Sequence, residues 1–148
     1  MIYTELTKKA LKIAYNAHKH QVDKTGLPYI YHPLHLAYQL ETEDEITLAL
    51  LHDVIEDSHY TFEDLIQSGI PDHIIEALTY LTHDNNMTYE DYIHRISENS
   101  LSVRVKLADL KHNSDLSRLD HITDKDLQRQ KKYLDAIEYL NQYINNND

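Results

Sequence analysis

The chain has 148 residues, enough for one domain with a single sizeable core. Two glycines and three prolines leave little material for hairpin turns, so the recurrent Leu, Ile, Ala, Glu and Lys point to an all-α fold. Cysteine is absent, which excludes disulfides and thiolate metal sites, and the formal net charge of −11 argues against nucleic-acid or anionic-membrane binding. No apolar run approaches transmembrane length and the N-terminus lacks a signal-peptide core. The expectation is a soluble, cytoplasmic, single-domain protein over residues 1–148.

In chain order, Glu5 to His20 carries Leu6, Ala10, Ile13, Ala14 and Ala17 on one stripe and reads as the first helix. Gln21 to Tyr31, with Gly26 and Pro28, reads as a loop. Pro33 suits the first turn of a second helix running to about Glu41. Asp44 to Glu56 is expected to form one continuous third helix. Thr61 with Asp64 approximates a capping box for a short helix ending near Gly69. Pro71 opens the next, to about Leu81, and Thr88 is the expected N-cap of Tyr89 to Glu98. In Ser100 to Asn113, Val103, Val105 and Leu107 alternate as a strand would. Ala108 and Leu110 follow, and no partner strand exists, so helix is preferred. Thr123 with Asp126 starts a long last helix with Leu127, Leu134, Ile137 and Ile144 facing inward, ahead of a frayed polar tail from Asn145 to Asp148. The sum is a compact bundle of about eight helices with short connections.

Chemistry concentrates in Leu50-Leu51-His52-Asp53-Val54-Ile55-Glu56-Asp57. Buried charge is costly unless paired or metal-bound, so ionisable residues in this apolar run suggest a metal and its catalytic carboxylates. On a continuous helix, His52 with Glu56 and Asp53 with Asp57 would converge at one end of one face. His32 precedes Pro33, which predicts extended backbone at a loop-to-helix junction. Asp109 and Asn113 share one helical face, as do Arg129 and Tyr133. His32, His52, Asp53 and Asp109 together offer two imidazoles and two carboxylates. With no soft ligand, that set favours a six-coordinate divalent ion such as Mn²⁺, with Mg²⁺, Fe²⁺ or Zn²⁺ as alternatives. Two positions would stay open for a water and a phosphoryl oxygen. Glu56 and Asp57, one turn beyond, are candidates for taking the water's proton and passing it on. Bland readings stand beside these: Asp109 could simply pair with Lys106, and most of the eleven histidines read as ordinary core or surface residues.

The ordered motifs Gly26-Leu27-Pro28-Tyr29-Ile30-Tyr31-His32-Pro33, then Leu50-Leu51-His52-Asp53 with Glu56-Asp57, then Lys106-Leu107-Ala108-Asp109 with Asn113 resemble the HD-domain metal-dependent phosphohydrolases. Within that group they resemble the alarmone hydrolases of the RelA/SpoT-homologue type, over about Ala14 to Tyr133. The resemblance implies an HD-type helical bundle, His32, His52, Asp53 and Asp109 as Mn²⁺ ligands, and Glu56 and Asp57 as the catalytic pair. It further implies that Lys24, Asn113, Arg129 and Tyr133 contact the nucleotide, with Tyr29 close by. The implied reaction removes the 3′-pyrophosphate of guanosine tetra- or pentaphosphate (ppGpp, pppGpp), and the length suggests a stand-alone small alarmone hydrolase. One departure matters: the family usually carries Arg-Lys where this chain has Asp23-Lys24. An acidic side chain offers no cationic face, so the base recognised stays open. The alternatives are another substrate (a nucleoside monophosphate, a deoxynucleotide, an adenine alarmone or NADPH), a non-catalytic nucleotide sensor, or a di-iron oxygenase drawing on His35, His59 or His112.

Overall fold

The computed structural model describes residues 1–144; the polar tail expected to fray lies outside the described residues. Among the described residues nine α-helices follow in order: α1 (Glu5–His18), α2 (Tyr31–Gln39), α3 (Glu43–Leu51), α4 (Val54–Asp57), α5 (Phe62–Gln67), α6 (Asp72–Leu81), α7 (Tyr89–Ile96), α8 (Ser100–Ser114) and α9 (Asp124–Ile144). A 3₁₀ turn, Leu116–Arg118, links the last two. No strand forms among the described residues; the ambiguous 100–113 segment is helix α8, capped by Asn99, whose side chain accepts from the Ser102 amide.

Local chemistry accounts for most boundaries. Thr61 and Asp64 form the expected reciprocal capping box, and Thr88 accepts from the Asp91 amide. Thr123 and Asp126 do the same for α9, amide to side chain in both directions. Gly69 ends α5 at φ +91°, with the Ile70 amide returning to the Leu65 carbonyl.

The core is organised around α3, where every residue from Ile46 to Leu51 is buried. A helix apolar on all sides must be surrounded. It is: α1, α2, α6 and α8 pack against it. Helix α8 runs along α9 and also meets α2, α6 and α7, which explains why Val103, Val105, Leu107 and Leu110 are all buried despite their mixed spacing.

Three expectations are corrected. His32 is not in extended backbone ahead of its helix: α2 opens at Tyr31, so His32 and Pro33 both lie in its first turn, where the amide that proline lacks would have no intrahelical partner. The Asp44 to Glu56 helix is not continuous: it stops at Leu51 and resumes at Val54. Asp53 sits at φ −107°, ψ 1°, outside the helical well, and the His52 amide makes only a long 3.4 Å contact back to the Ala49 carbonyl. In α9, Leu127 and Leu134 are each 50% exposed, whereas Ala136 and Leu140 are buried and Tyr133, Ile137 and Ile144 pack against the core. The Leu127/Leu134 pair lies one residue, about 100°, off the Tyr133/Leu140 stripe. That rotation turns it to solvent.

Candidate active site and metal centre

The break after Leu51 creates the site. His52 caps α3, and its Nδ1 lies 2.6 Å from the Ala49 carbonyl oxygen. A carbonyl can only accept, so Nδ1 carries the hydrogen and Nε2 is turned outward as the free ring nitrogen. His32, in the first turn of α2, places its Nε2 3.2 Å from that of His52 and 2.8 Å from Asp109 Oδ1. Its other nitrogen, Nδ1, lies 2.7 Å from Nδ1 of His112 on α8. Burial, then the nearby His32, pushes His112 down to about 4, so His112 is neutral and shares one hydrogen with His32 between the two Nδ1 atoms.

His32, His52 and Asp109 are all buried, and one ligating atom from each lies within 4.8 Å of the others, a group that could hold a cation. Asp53 joins from the α3–α4 junction, its Oδ2 2.9 Å from His52 Nε2 and 3.9 Å from His32 Nε2. The Tyr29 hydroxyl donates to the same Asp53 oxygen. With both ring Nδ1 atoms hydrogen-bonded elsewhere, the Nε2 atoms of two imidazoles and two carboxylates face one another. Two carboxylates that close repel unless a positive charge, a bound cation or a proton on an imidazole, lies between them. The electrostatics agree: burial opposes charging His52, yet Asp53 and Asp109 raise its pKa well above the ordinary imidazole value. Asp53 is held at about 2 by the His52 imidazole, against the pull of burial. The donor set therefore fits a hard or borderline divalent cation.

Asp109 has a second tether. Lys106, one turn earlier on α8, donates to Oδ2 at 2.9 Å, and Asn113 donates to Oδ1 at 3.0 Å. The ordinary Lys106 pairing and the cluster contacts thus coexist, one on each carboxylate oxygen. Lys106 is buried over the Tyr92 ring, and despite that burial Asp109 raises its pKa.

Glu56 and Asp57 lie on α4 beside this group. The Glu56 carboxylate accepts from the His83 backbone amide, and the Asp57 carbonyl accepts from Gln21 Nε2 at 2.7 Å. Burial and then, for Asp57, the Asp53 charge raise both carboxyls above their ordinary values.

A cleft of about 380 Å³ opens from His32 and Tyr29 and takes in Lys24, Asn113, Arg129 and Tyr133, so every nucleotide-contact candidate lines one space. Lys24 and Arg129 reach the same Asp126 oxygen, at 3.5 and 3.8 Å. Two cations sharing one carboxylate leave the rim locally positive in an acidic chain. Two contributors escaped sequence reasoning, Arg118 in the cleft wall and Gln21 beneath Asp57, and a third, His112 behind His32, was named only as a possible di-iron ligand. Arg118 sits in a short turn with no periodicity to flag it. Nothing in the sequence marked His112, next to Asn113, as the partner of His32, since that contact joins residues 80 positions apart.

No family model matches the chain. Among curated proteins it is 35% identical over 115 residues to a guanosine-3′,5′-bis(diphosphate) 3′-pyrophosphohydrolase of Haemophilus influenzae, covering 68% of this chain and 17% of that one. It is 29% identical over 138 residues to a GTP pyrophosphokinase of Myxococcus xanthus, covering 82% and 18%. A Danio rerio guanosine-3′,5′-bis(diphosphate) 3′-pyrophosphohydrolase is 40% identical over 70 residues, 42% of this chain and 39% of that one. The chain thus spans less than a fifth of the length of the two bacterial relatives. A solved structure, described as a metazoan orthologue of SpoT that hydrolyses ppGpp, superposes with a TM-score of 0.76 at 22% identity, covering 95% of this chain and 87% of that one. By fold and by the order of its motifs, the chain is of the HD type, with SpoT-like hydrolases among its relatives.

Proposed function

We propose that the chain is a metal-dependent phosphohydrolase that removes the 3′-pyrophosphate of guanosine tetra- or pentaphosphate, giving GDP or GTP and pyrophosphate. The observation that carries the reading is the convergence of His32, His52 and Asp109 on one point at the end of a cleft rimmed by Lys24 and Arg129. The names of the Haemophilus and Danio relatives support the same substrate.

In this reading His32, His52, Asp53 and Asp109 hold one divalent ion, Mn²⁺ by the donor chemistry. Bound there, the ion supplies Lewis acidity toward a phosphoryl oxygen and a more acidic water. The protein's own residues do the rest. Hydrolysis must take a proton from the attacking water and return one to the departing 3′-oxygen. Glu56 and Asp57, fixed by His83 and Gln21, are assigned those proton transfers at their carboxylate oxygens. Their raised pKa values suit groups that must both accept and release a proton. Lys24 and Arg129 draw the phosphates to the rim, Tyr29 holds Asp53, and Asn113 and Tyr133 line the floor between.

Phosphorus NMR of a nucleotide panel with Mn²⁺ tests the reading directly. Guanosine tetraphosphate is expected to release pyrophosphate faster than adenine tetraphosphate, NADPH, deoxynucleotides or monophosphates. Orthophosphate release, or no turnover of the guanosine compounds, sinks it. Asp53→Ala is expected to lose bound metal and turnover together; full turnover in that variant would remove Asp53 from the ligand set.

A further inference from the structure

Arg118 lies in the cleft wall on the 3₁₀ turn between α8 and α9, facing the loop that carries Asp23 and Lys24. Its guanidinium is poorly used by the protein. Nη1 is 3.6 Å from Asp23 Oδ2, Nη2 is a long 3.4 Å from the His112 carbonyl, and Nε is buried with no partner. Buried Nε is out of a ligand's reach, but the two terminal nitrogens have only these long contacts and Arg118 lines the cleft, so an incoming acceptor improves their pairing.

Asp23, by contrast, is firmly held through one of its two oxygens. Asp23 Oδ1 accepts from the Thr25 amide at 2.8 Å, the Thr25 hydroxyl at 2.5 Å and the Leu27 amide at 3.1 Å. Asp23 is therefore a fixed carboxylate that orients Arg118 and has nothing on Oδ1 to offer a ligand. Charge also differs along the cleft. Lys24 and Arg129 share Asp126, an excess of positive charge that suits phosphate. Arg118 pairs with Asp23, and Asp115 lines the same part of the cleft within its electrostatic reach, two carboxylates against one cation, which disfavours a second phosphate there. A neutral group with acceptors fits instead. A planar fork of donors matches the paired O6 and N7 acceptors of guanine and mismatches adenine, which presents a donor at N6.

We infer that Arg118, ion-paired with Asp23, reads the O6/N7 edge of a guanine base bound in the cleft. The inference rests on the nucleotide reading above. It adds a specificity-determining residue and says which base edge it reads.

The test pairs turnover with binding. Wild type, Arg118→Gln and Asp23→Asn are compared on guanosine and adenosine tetraphosphates with Mn²⁺, and GDP and ADP binding is followed by calorimetry. Arg118→Gln is expected to raise KM for the guanosine compound roughly tenfold with kcat within about twofold, and to leave the adenosine compound nearly unchanged. Asp23→Asn should show a smaller loss of the same kind. 7-Deazaguanosine diphosphate, lacking N7, should bind wild type about as weakly as GDP binds Arg118→Gln. An unchanged guanosine KM, an equal loss on both bases, or a loss confined to kcat overturns the inference. If wild type turns over neither tetraphosphate, the proposed reaction fails, while GDP against ADP binding still decides the role of Arg118. Circular dichroism of each variant separates misfolding, and Arg118→Lys, which keeps the charge but not the fork, must recover less than half of the loss.

Discussion

At the residue scale, the site depends on which atom of each side chain is already spoken for. Asp109 illustrates this: Lys106 takes one carboxylate oxygen and leaves the other for the cluster. Replacing Lys106 by Met strands a buried carboxylate without its cation. Without metal the variant should lose about 3 kcal/mol in urea unfolding. Added Mn²⁺ should restore part of that, because a second cation then serves Asp109. The raised carboxyls make a second prediction. The carboxylate that takes the water's proton must be ionised, and both folded pKa values lie above the ordinary 4.5 and 3.8. Turnover should therefore fall with pH on the acid side sooner than free carboxylates would require. A pH–rate profile of Asp57→Asn, compared with wild type, should show that limb changed. An identical profile would remove Asp57 from proton transfer. The residue types at these positions were legible in the sequence because a charge in an apolar run is too costly to bury without a partner ion. Arg118 was not, since its meaning comes from Asp23, 95 residues away in the chain.

Elements decide where those atoms meet. The sequence pattern from Asp44 to Glu56 supports an unbroken helix, and only the bridge-region backbone at Asp53 shows the break. Periodicity records which side is apolar; it does not record a single residue leaving the helical well. The break lets His52 donate to Ala49 and brings Asp53 back beside its neighbour, which a straight helix would hold about 100° apart. The 19–30 connection is a second such element. Gly26, at φ +86°, allows the turn that joins Val22 to Pro28 and brings Asp23 and Lys24 to the cleft. A Cβ there would meet no atom within 4 Å, so Gly26→Ala costs only the backbone preference, about 1–2 kcal/mol. Its expected signature is a raised KM with kcat little changed, since the turn carries cleft residues rather than the catalytic pair. A fall in kcat alone would contradict that division.

For the molecule as a whole, a net charge of −11 coexists with a buried cluster of acceptors and a positive cleft rim. A cation bound to the folded state alone stabilises it by mass action, about 2.7 kcal/mol at a hundredfold excess over Kd. For a domain of this length, that is a rise in Tm of roughly 5–10 °C. A thermal melt with Mn²⁺ against one with chelator should show the rise in wild type and not in His52→Ala; equal melts would argue against the cluster as a metal site. Among the described residues no helix is long and apolar enough to cross a membrane.

By itself the sequence determined the helical class, the eight helical segments with most of their caps, and the short list of residues able to hold a cation or move a proton. These follow from local rules: periodicity, capping chemistry, and the cost of burying charge. Tertiary structure alone decided the rest. It divided the third helix at His52-Asp53, rotated Leu127 and Leu134 to solvent, and set Arg118 against Asp23. Each of these depends on contacts between segments far apart in the chain, where packing and electrostatics outweigh a local preference worth a fraction of a kcal/mol per residue.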